Sequence, residues 1–361
     1  MGYVTSMLPK PVKVILVPLY RSGVFFYDLG MITVSLLLYL AFNSPSEKSH
    51  QAMIRLFCVT RGLSNDLISW FPKVFCRPYK LNFPLYGLAG CLSREKADQI
   101  KRTLDNDGYY IFDKPLDEQT IADILAFAET NPCRPRKSDQ DDPNAPNVGP
   151  EEILNRAMPK ATRYEYDADR LVNAPAIQKI LNDETLLEIA QQYLGCKPTI
   201  DIVSMWWHTT AQLKPDSVAA QFYHFDMDRL KWLKIFINIT EDNTDSGPHC
   251  FIKKSHRTFG IPWKFLKRGY ARVRDHEIYD HYGKASEIEF CTKPGTILAE
   301  DTRGFHKGKH CVKGDRLLLE IQYSNCLFGA ESSKMKLNAT NNSSIMYEAR
   351  KKHPHVYRLF V

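Results

Sequence analysis

The stretch "QFYHFDMD", residues 221–228, decides how this chain is read. It has the aromatic texture of a β-strand running out into a turn, and it sets His224 and Asp226 two positions apart. Alternate residues of a strand project to one side, so the imidazole and the carboxylate can reach a common point while Phe225 turns into the opposite layer. About eighty residues on, "EDTRGFHKGKHCVKGDRLLLEIQYS" offers His306 and then Arg316 near the start of an apolar strand. Two histidines and one carboxylate can occupy one face of an octahedral metal ion, leaving three positions for a chelating cosubstrate and dioxygen, and Fe(II) suits that set. Arg316 is expected on a strand next to the metal strand, pointing inward, where a cation among leucines needs an anion. A fixed guanidinium matches the distal carboxylate of a dicarboxylic cosubstrate.

Working outward, 361 residues that are 44% hydrophobic can bury a sizeable core, most simply as one large domain with an appendage. The nine cysteines show no CxxC pair and no regular spacing, which points to reduced thiols and a cytoplasmic setting. The run "VILVPLY" is short, holds a proline and lacks a small-residue cleavage site, so no secretory signal is expected. Residues 1–91 hold nine Lys or Arg against three Asp or Glu, so six of the seven net positive charges lie there. A body so nearly neutral lacks the basic face that a duplex footprint needs, and nucleic acid is not expected as a partner.

Along the chain, "LSREKADQIKRTLDNDG" reads as a helix capped by Ser93 and stopped by Gly108, with Ala97, Ile100 and Leu104 inward. A short strand "YYIFDK" follows, then the amphipathic helix "DEQTIADILAFAET", and residues 131–160 read as a long surface loop with the character of a lid. Helical periodicity returns in "APAIQKILND" and "TLLEIAQQYLG". After residue 198 seven short β-branched or aromatic segments succeed one another between turn residues. Strands after a helical lead-in imply a mainly β protein, an antiparallel sandwich or barrel with flanking helices.

The stretches "YHFDMD", "LKIFINITEDNTDSGPHCFIKKSHR", "EDTRGFHKG" and "GDRLLLEIQYS" together resemble the phytanoyl-CoA dioxygenase family of Fe(II)- and 2-oxoglutarate-dependent oxygenases. The resemblance covers residues 92 to about 326. It implies a double-stranded β-helix (jelly-roll or cupin-like) core, His224, Asp226 and His306 as iron ligands, and Arg316 as the 2-oxoglutarate anchor. It also implies dioxygen as co-reactant, succinate as by-product and hydroxylation of a C–H bond in a small-molecule, lipid or acyl/glycan-type substrate. Related halogenases leave the carboxylate position empty, so Asp226 favours hydroxylation. Where the family carries Pro-Gly-Ser-His this chain has Lys253, Lys254, Ser255 and His256, a departure at the hairpin that Gly247 turns; His256 is expected to brace that loop. Thr302 and Arg303, just before the distal histidine, are candidate cosubstrate or substrate contacts, with stabilisation of the turn as the equal alternative. Of Trp206 and Trp207, one should line the pocket and the other pack in the core, while His208 reads as a satisfied polar group.

Two alternatives stay open at this stage. The shell could be a binding module without chemistry. Nucleic-acid demethylases share the triad, but they resemble one another in a second arginine where this chain has Gln322. The resulting division is a basic N-terminal segment (1–91), a dioxygenase domain with its helical lead-in (92–330) and a tail (331–361). Within the first, residues 24–42 carry one charge, Asp28, flanked by Lys10, Lys13 and Arg21 before and by Arg55, Arg61, Lys73, Arg77 and Lys80 after. That run is either a helical layer on the barrel or a peripheral membrane contact; a full span is the lesser reading. The insertion at 257–285 gathers Lys264, Lys267, Arg268, Arg272 and Arg274, which either clamp an anionic substrate group or form a solvated helix face.

Overall fold

The computed structural model describes residues 10–42, 46–138, 148–338 and 345–361. The side chains of Lys10, Lys13 and Arg21, and the middle of the 131–160 loop, lie outside the described residues. Two antiparallel sheets face one another. The larger, in the order β3-β10-β7-β12-β6-β5-β4, comprises Tyr109–Ile111 (β3), Arg134–Pro135 (β4), Arg163–Glu165 (β5), Thr199–His208 (β6), Trp232–Asn238 (β7), Ile297–Glu300 (β10) and Arg316–Ser324 (β12). The smaller has His249–Ile252 (β8) between Glu287–Glu289 (β9) and His306–Gly308 (β11). A β-bridge between His224 and His306 adds the 221–228 stretch to the free edge of β11. From β6 onward the chain passes back and forth between the sheets, with the consecutive β8 and β9 paired in the smaller one, which is the winding of a double-stranded β-helix-like core. Hydrogen bonding does not close the two sheets into a barrel among the described residues.

Period-two alternation explains three separate cores. On β6, β7, β10 and β12, Met205, Ile235, Ile237, Ile297, Leu319 and Ile321 face outward and pack against helices of the lead-in. The intervening Trp206, Phe236, Leu298 and Leu318 meet Phe251 and Phe290 of the smaller sheet between the two layers. Tyr223, Phe225, Phe305 and Ile252, on the outside of the smaller sheet, pack against the N-terminal helices.

The helical expectations are met where caps were legible. Ser93 accepts from the Lys96 amide at the head of Arg94–Asp107, and Gly108 closes it with φ of 92°. The helices Glu118–Thr130, Pro175–Leu181 and Glu184–Leu194 fall on the other three periodic stretches. The expectation of a mainly β protein is corrected: 37% of the chain is helix and 20% strand. The excess comes from residues 10–75, which form four helices, Lys10–Phe42 (α1), Glu47–Thr60 (α2), Leu63–Ile68 (α3) and Trp70–Phe75 (α4).

This N-terminal layer is built into the fold. His50 reaches the Met227 carbonyl at 2.9 Å, Asn65 that of Leu230 at 3.3 Å, and Phe57 stacks on Phe225 at 5.6 Å. Of the two roles open to Arg303, its contacts are those of a structural one, a tie between layers. Its guanidinium, 5% exposed, bridges Asp301 and Asp66, each at 2.8 Å. The proposed boundary at residue 91 falls inside a small hairpin, Leu85–Gly87 (β1) with Gly90–Leu92 (β2). The tail also joins the main core, through Met346, Val356 and Phe360.

Candidate active site

The reciprocal backbone pair His224 N to His306 O (3.0 Å) and His306 N to His224 O (2.8 Å) places both imidazoles on the same side of the smaller sheet. Their rings are 4.2 Å apart. Asp226, one alternation on, is fixed by its amide's bond to the Thr302 carbonyl at 2.8 Å. Its carboxylate oxygens lie 3.7 Å from His224 Nε2 and 3.5 Å from His306 Nε2. Ligand atoms of the three fall within 4.8 Å of one another. Each histidine commits its Nδ1 to the carbonyl two residues earlier, Phe222 and Gly304, at 3.0 Å. That fixes the Nδ1–H tautomer and leaves both Nε2 lone pairs aimed at the centre. Burial and mutual repulsion, with Arg272, push the pKa of His224 down; burial does the same to His306. Burial works against ionising Asp226, but Lys234 and the two histidines hold its carboxyl below the usual range.

Arg316 enters from the facing sheet. The expectation that its strand adjoins the metal strand is corrected: β12 lies between β6 and β7, and the side chain crosses the space between the sheets. Gly308 makes room for it, since a Cβ there would lie 3.0 Å from Arg316 Nη2 and 3.0 Å from His208 Cε1. Arg316 is 1% exposed, donates through Nη2 to His208 Nδ1 at 2.8 Å, and has no partner for Nε or Nη1. Asp242 stands 3.8 Å from Nη1, beyond hydrogen-bond reach, and burial lifts its carboxyl to about 7. A buried guanidinium with two open donors is a receptor for a carboxylate.

Several residues were not read from the sequence. Lys234 sits between Asp226 and Glu320 at 2.9 Å from each, and their charges keep it protonated despite burial. His249 Nε2 lies 3.0 Å from both oxygens of Glu300, whose carboxyl burial lifts to about 8. The signal was a charge at an inward alternate position of an apolar strand, in "WLKIFIN", "RLLLEIQ" and "ILAE". The Thr302 hydroxyl accepts from Trp232 Nε1 at 2.8 Å, and Thr302 is not among the residues that line the cavity. Trp206 lines the cavity while Trp207 packs in the core and donates to Tyr166, as alternation requires. His208 is satisfied by Arg316 and the Ala219 carbonyl, and His256 braces its loop on the Asp105 carbonyl. Lys254 takes φ of 70°, so the hairpin keeps a left-handed residue without the family's glycine.

The cavity in front of the triad has a volume of about 380 Å³. Arg136, Arg163, Tyr270 and Arg272 line it together with the triad and Arg316. Of the 257–285 basic residues only Arg272 lines this cavity; Arg268 pairs with Glu277, and Lys264 lies over Phe265. A second grouping, Cys250, Glu287 and Glu289, has its carboxylates engaged by Tyr279, Lys284 and Lys309 and carries no metal assignment.

No family model matches the sequence, and no curated protein matches it. Among solved structures the chain is similar to the non-heme alpha ketoglutarate dependent epimerase SnoN from nogalamycin biosynthesis, at 14% identity over 64% of this chain and 84% of that one, TM-score 0.48. It is similar also to HygX from Streptomyces hygroscopicus with nickel and 2-oxoglutarate bound, at 15% identity over 69% and 92%, TM-score 0.45. EctD from S. alaskensis with 2-oxoglutarate and 5-hydroxyectoine gives 16% identity over 69% and 82%, TM-score 0.42. Likeness this distant assigns no residue roles; those rest on the strand order and side chains above. Fold and site define a mononuclear metal centre of the two-histidine, one-carboxylate type. The motifs that resemble the phytanoyl-CoA dioxygenase family fall on the bridge, on β7–β8, on β11 and on β12, where that centre is assembled.

Proposed function

We propose that the chain is an Fe(II)- and 2-oxoglutarate-dependent oxygenase that hydroxylates a C–H bond of a small polar or anionic molecule, with residues 92–330 as its catalytic unit. One juxtaposition carries the reading: three convergent metal donors faced, across the sheets, by a buried arginine with two unpartnered N–H groups. The donor set fits Fe(II), and Arg316 fits a cosubstrate that chelates at one end and carries a carboxylate at the other. When bound, iron and 2-oxoglutarate supply the oxidising power: one atom of dioxygen enters the substrate C–H bond as 2-oxoglutarate becomes succinate and carbon dioxide.

The protein's own part is positional. His224, Asp226 and His306 would hold one face of the metal; burial keeps both imidazoles neutral, and the Nδ1 bonds fix their tautomer and orientation. Lys234 takes one Asp226 oxygen and is balanced by Glu320, which keeps that carboxylate ionised. His208 fixes the Arg316 fork through Nδ1. In the cavity lining Arg272 favours a substrate with a carboxylate, phosphate or dense hydroxyl face, while Arg136 and Arg163 share the Glu165 carboxylate beside it.

Anaerobic reconstitution of the full chain with Fe(II) and 2-oxoglutarate should give a visible charge-transfer band that His224→Ala loses. A metabolite-extract screen under air should then show a product heavier by one oxygen with equimolar succinate. An unchanged band in folded His224→Ala, or succinate release without iron, sinks the assignment.

A further inference from the structure

The outer face of α1 poses a problem that the metal centre does not touch. Gly23–Ala41 has a mean hydropathy of 1.8, yet only 22% of that stretch is buried. A core helix of this composition would be covered on all sides. Beside it α3 and α4 expose Leu67, Trp70 at 61%, Phe71 and Phe75 at 71%, so the apolar surface runs continuously across three helices. α1 is nevertheless held by its inner face. Arg55 pairs with the buried Asp28 at 2.7 and 2.9 Å, and the Leu327 amide donates to the Tyr39 hydroxyl at 2.8 Å. A helix fixed in this way is half-embedded and does not span.

Between α1 and α4 runs a groove of about 440 Å³, within the size range of ligand sites. Leu29, Ile32 and Leu36 form one wall, Phe71 and Phe75 the other. Arg358 and His355 also line it, and Arg358 Nε and His355 Nε2 are both buried without a hydrogen-bond partner. Apolar walls that open onto an apolar surface, with two unpartnered nitrogens among them, match an acyl chain with an anionic head.

We infer that α1, α3 and α4 form a face embedded in one leaflet of a membrane, and that the groove seats one acyl chain of an anionic bilayer lipid whose head meets Arg358 and His355. The inference is independent of the oxygenase reading and is tested without activity.

Full-length protein is equilibrated with vesicles of equimolar phosphatidylcholine and phosphatidylglycerol, with pure phosphatidylcholine vesicles, and with the mixed vesicles plus oleate. Vesicle flotation and native mass spectrometry of the re-isolated protein are the readouts. The expected result is flotation with mixed vesicles and one retained phosphatidylglycerol per chain. Thr33→Trp, which fills the groove from an exposed position of α1, should lose the retained lipid but keep flotation. Arg358→Leu should weaken retention by about tenfold or more. Retention of no lipid, equal retention of phosphatidylcholine, displacement of phosphatidylglycerol by oleate, or full retention in Thr33→Trp would each overturn the lipid seat.

Discussion

Replacing Arg316 with methionine separates a cosubstrate anchor from a structural ion. The side chain is 1% exposed, makes one hydrogen bond, to His208, and leaves Nε and Nη1 open. Truncating one partner of a desolvated charge-assisted pair costs about 2–5 kcal/mol, so the Kd for 2-oxoglutarate should rise from about 30-fold to several thousand-fold. Folding stability should respond differently. Methionine removes a buried cation whose donors are unsatisfied, and Asp242, its carboxyl already lifted to about 7, can take up a proton in place of its lost neighbour. The relief and the lost His208 bond roughly cancel, and apo stability should stay within about 1 kcal/mol of wild type. Anaerobic calorimetric titration of 2-oxoglutarate into the Fe(II)-loaded protein reads the first quantity, and denaturant unfolding of the apo protein reads the second. A Kd change below about threefold would remove Arg316 as the anchor. A collapse of both quantities would make it the structural partner of Asp242.

Three further outcomes follow from the same geometry. Arg303→Met strands the buried Asp301, whose carboxyl Arg303 helps hold down at about 2 against burial, and should cost about 3–5 kcal/mol of stability in a denaturant melt, with 2-oxoglutarate affinity in the surviving folded protein unchanged. Thr302→Val leaves the Trp232 N–H without its acceptor and should cost about 1–3 kcal/mol, again without moving the Kd; a large Kd change would restore Thr302 to the cosubstrate site. Glu300, lifted to about 8 by burial, binds its proton more tightly folded than unfolded, so its contribution is full below the unfolded value near pH 4 and fades as pH rises through about 8. Glu300→Gln should flatten that part of the apo stability profile, and an unaltered slope would refute the protonated state.

The legible part of the site was the part with short-range grammar. His224 and Asp226 declare themselves by two-residue spacing on a strand end, and Arg316 by standing alone in front of leucines. Lys234 and Glu320 showed only as charges within apolar strands, and Asp242 not at all, because their meaning depends on pairings between β6, β7 and β12 over long sequence separations. Thr302 stayed open between two roles for a related reason: proximity to His306 in sequence says nothing about which way a buried hydroxyl turns, and here it meets the Trp232 indole. The helical excess was missed because residues 10–75 carry apolar runs whose partners on the main body of the fold, such as Phe225, Leu230 and Phe328, lie beyond residue 220 in the chain.

That last separation bears on how the protein is made. Asp66 meets Arg303 across 237 positions and Asn65 meets Leu230 across 165, so these helices leave a ribosome long before the later chain that covers their inner faces. Native contacts of such long range form late, and apolar surface exposed meanwhile invites aggregation. Cell-free synthesis with a translation stall placed before residue 303 should therefore yield nascent chains whose α1–α4 segment is cut by protease. Release to full length should protect it, and the yield of soluble protein should depend on what shelters those helices during the wait.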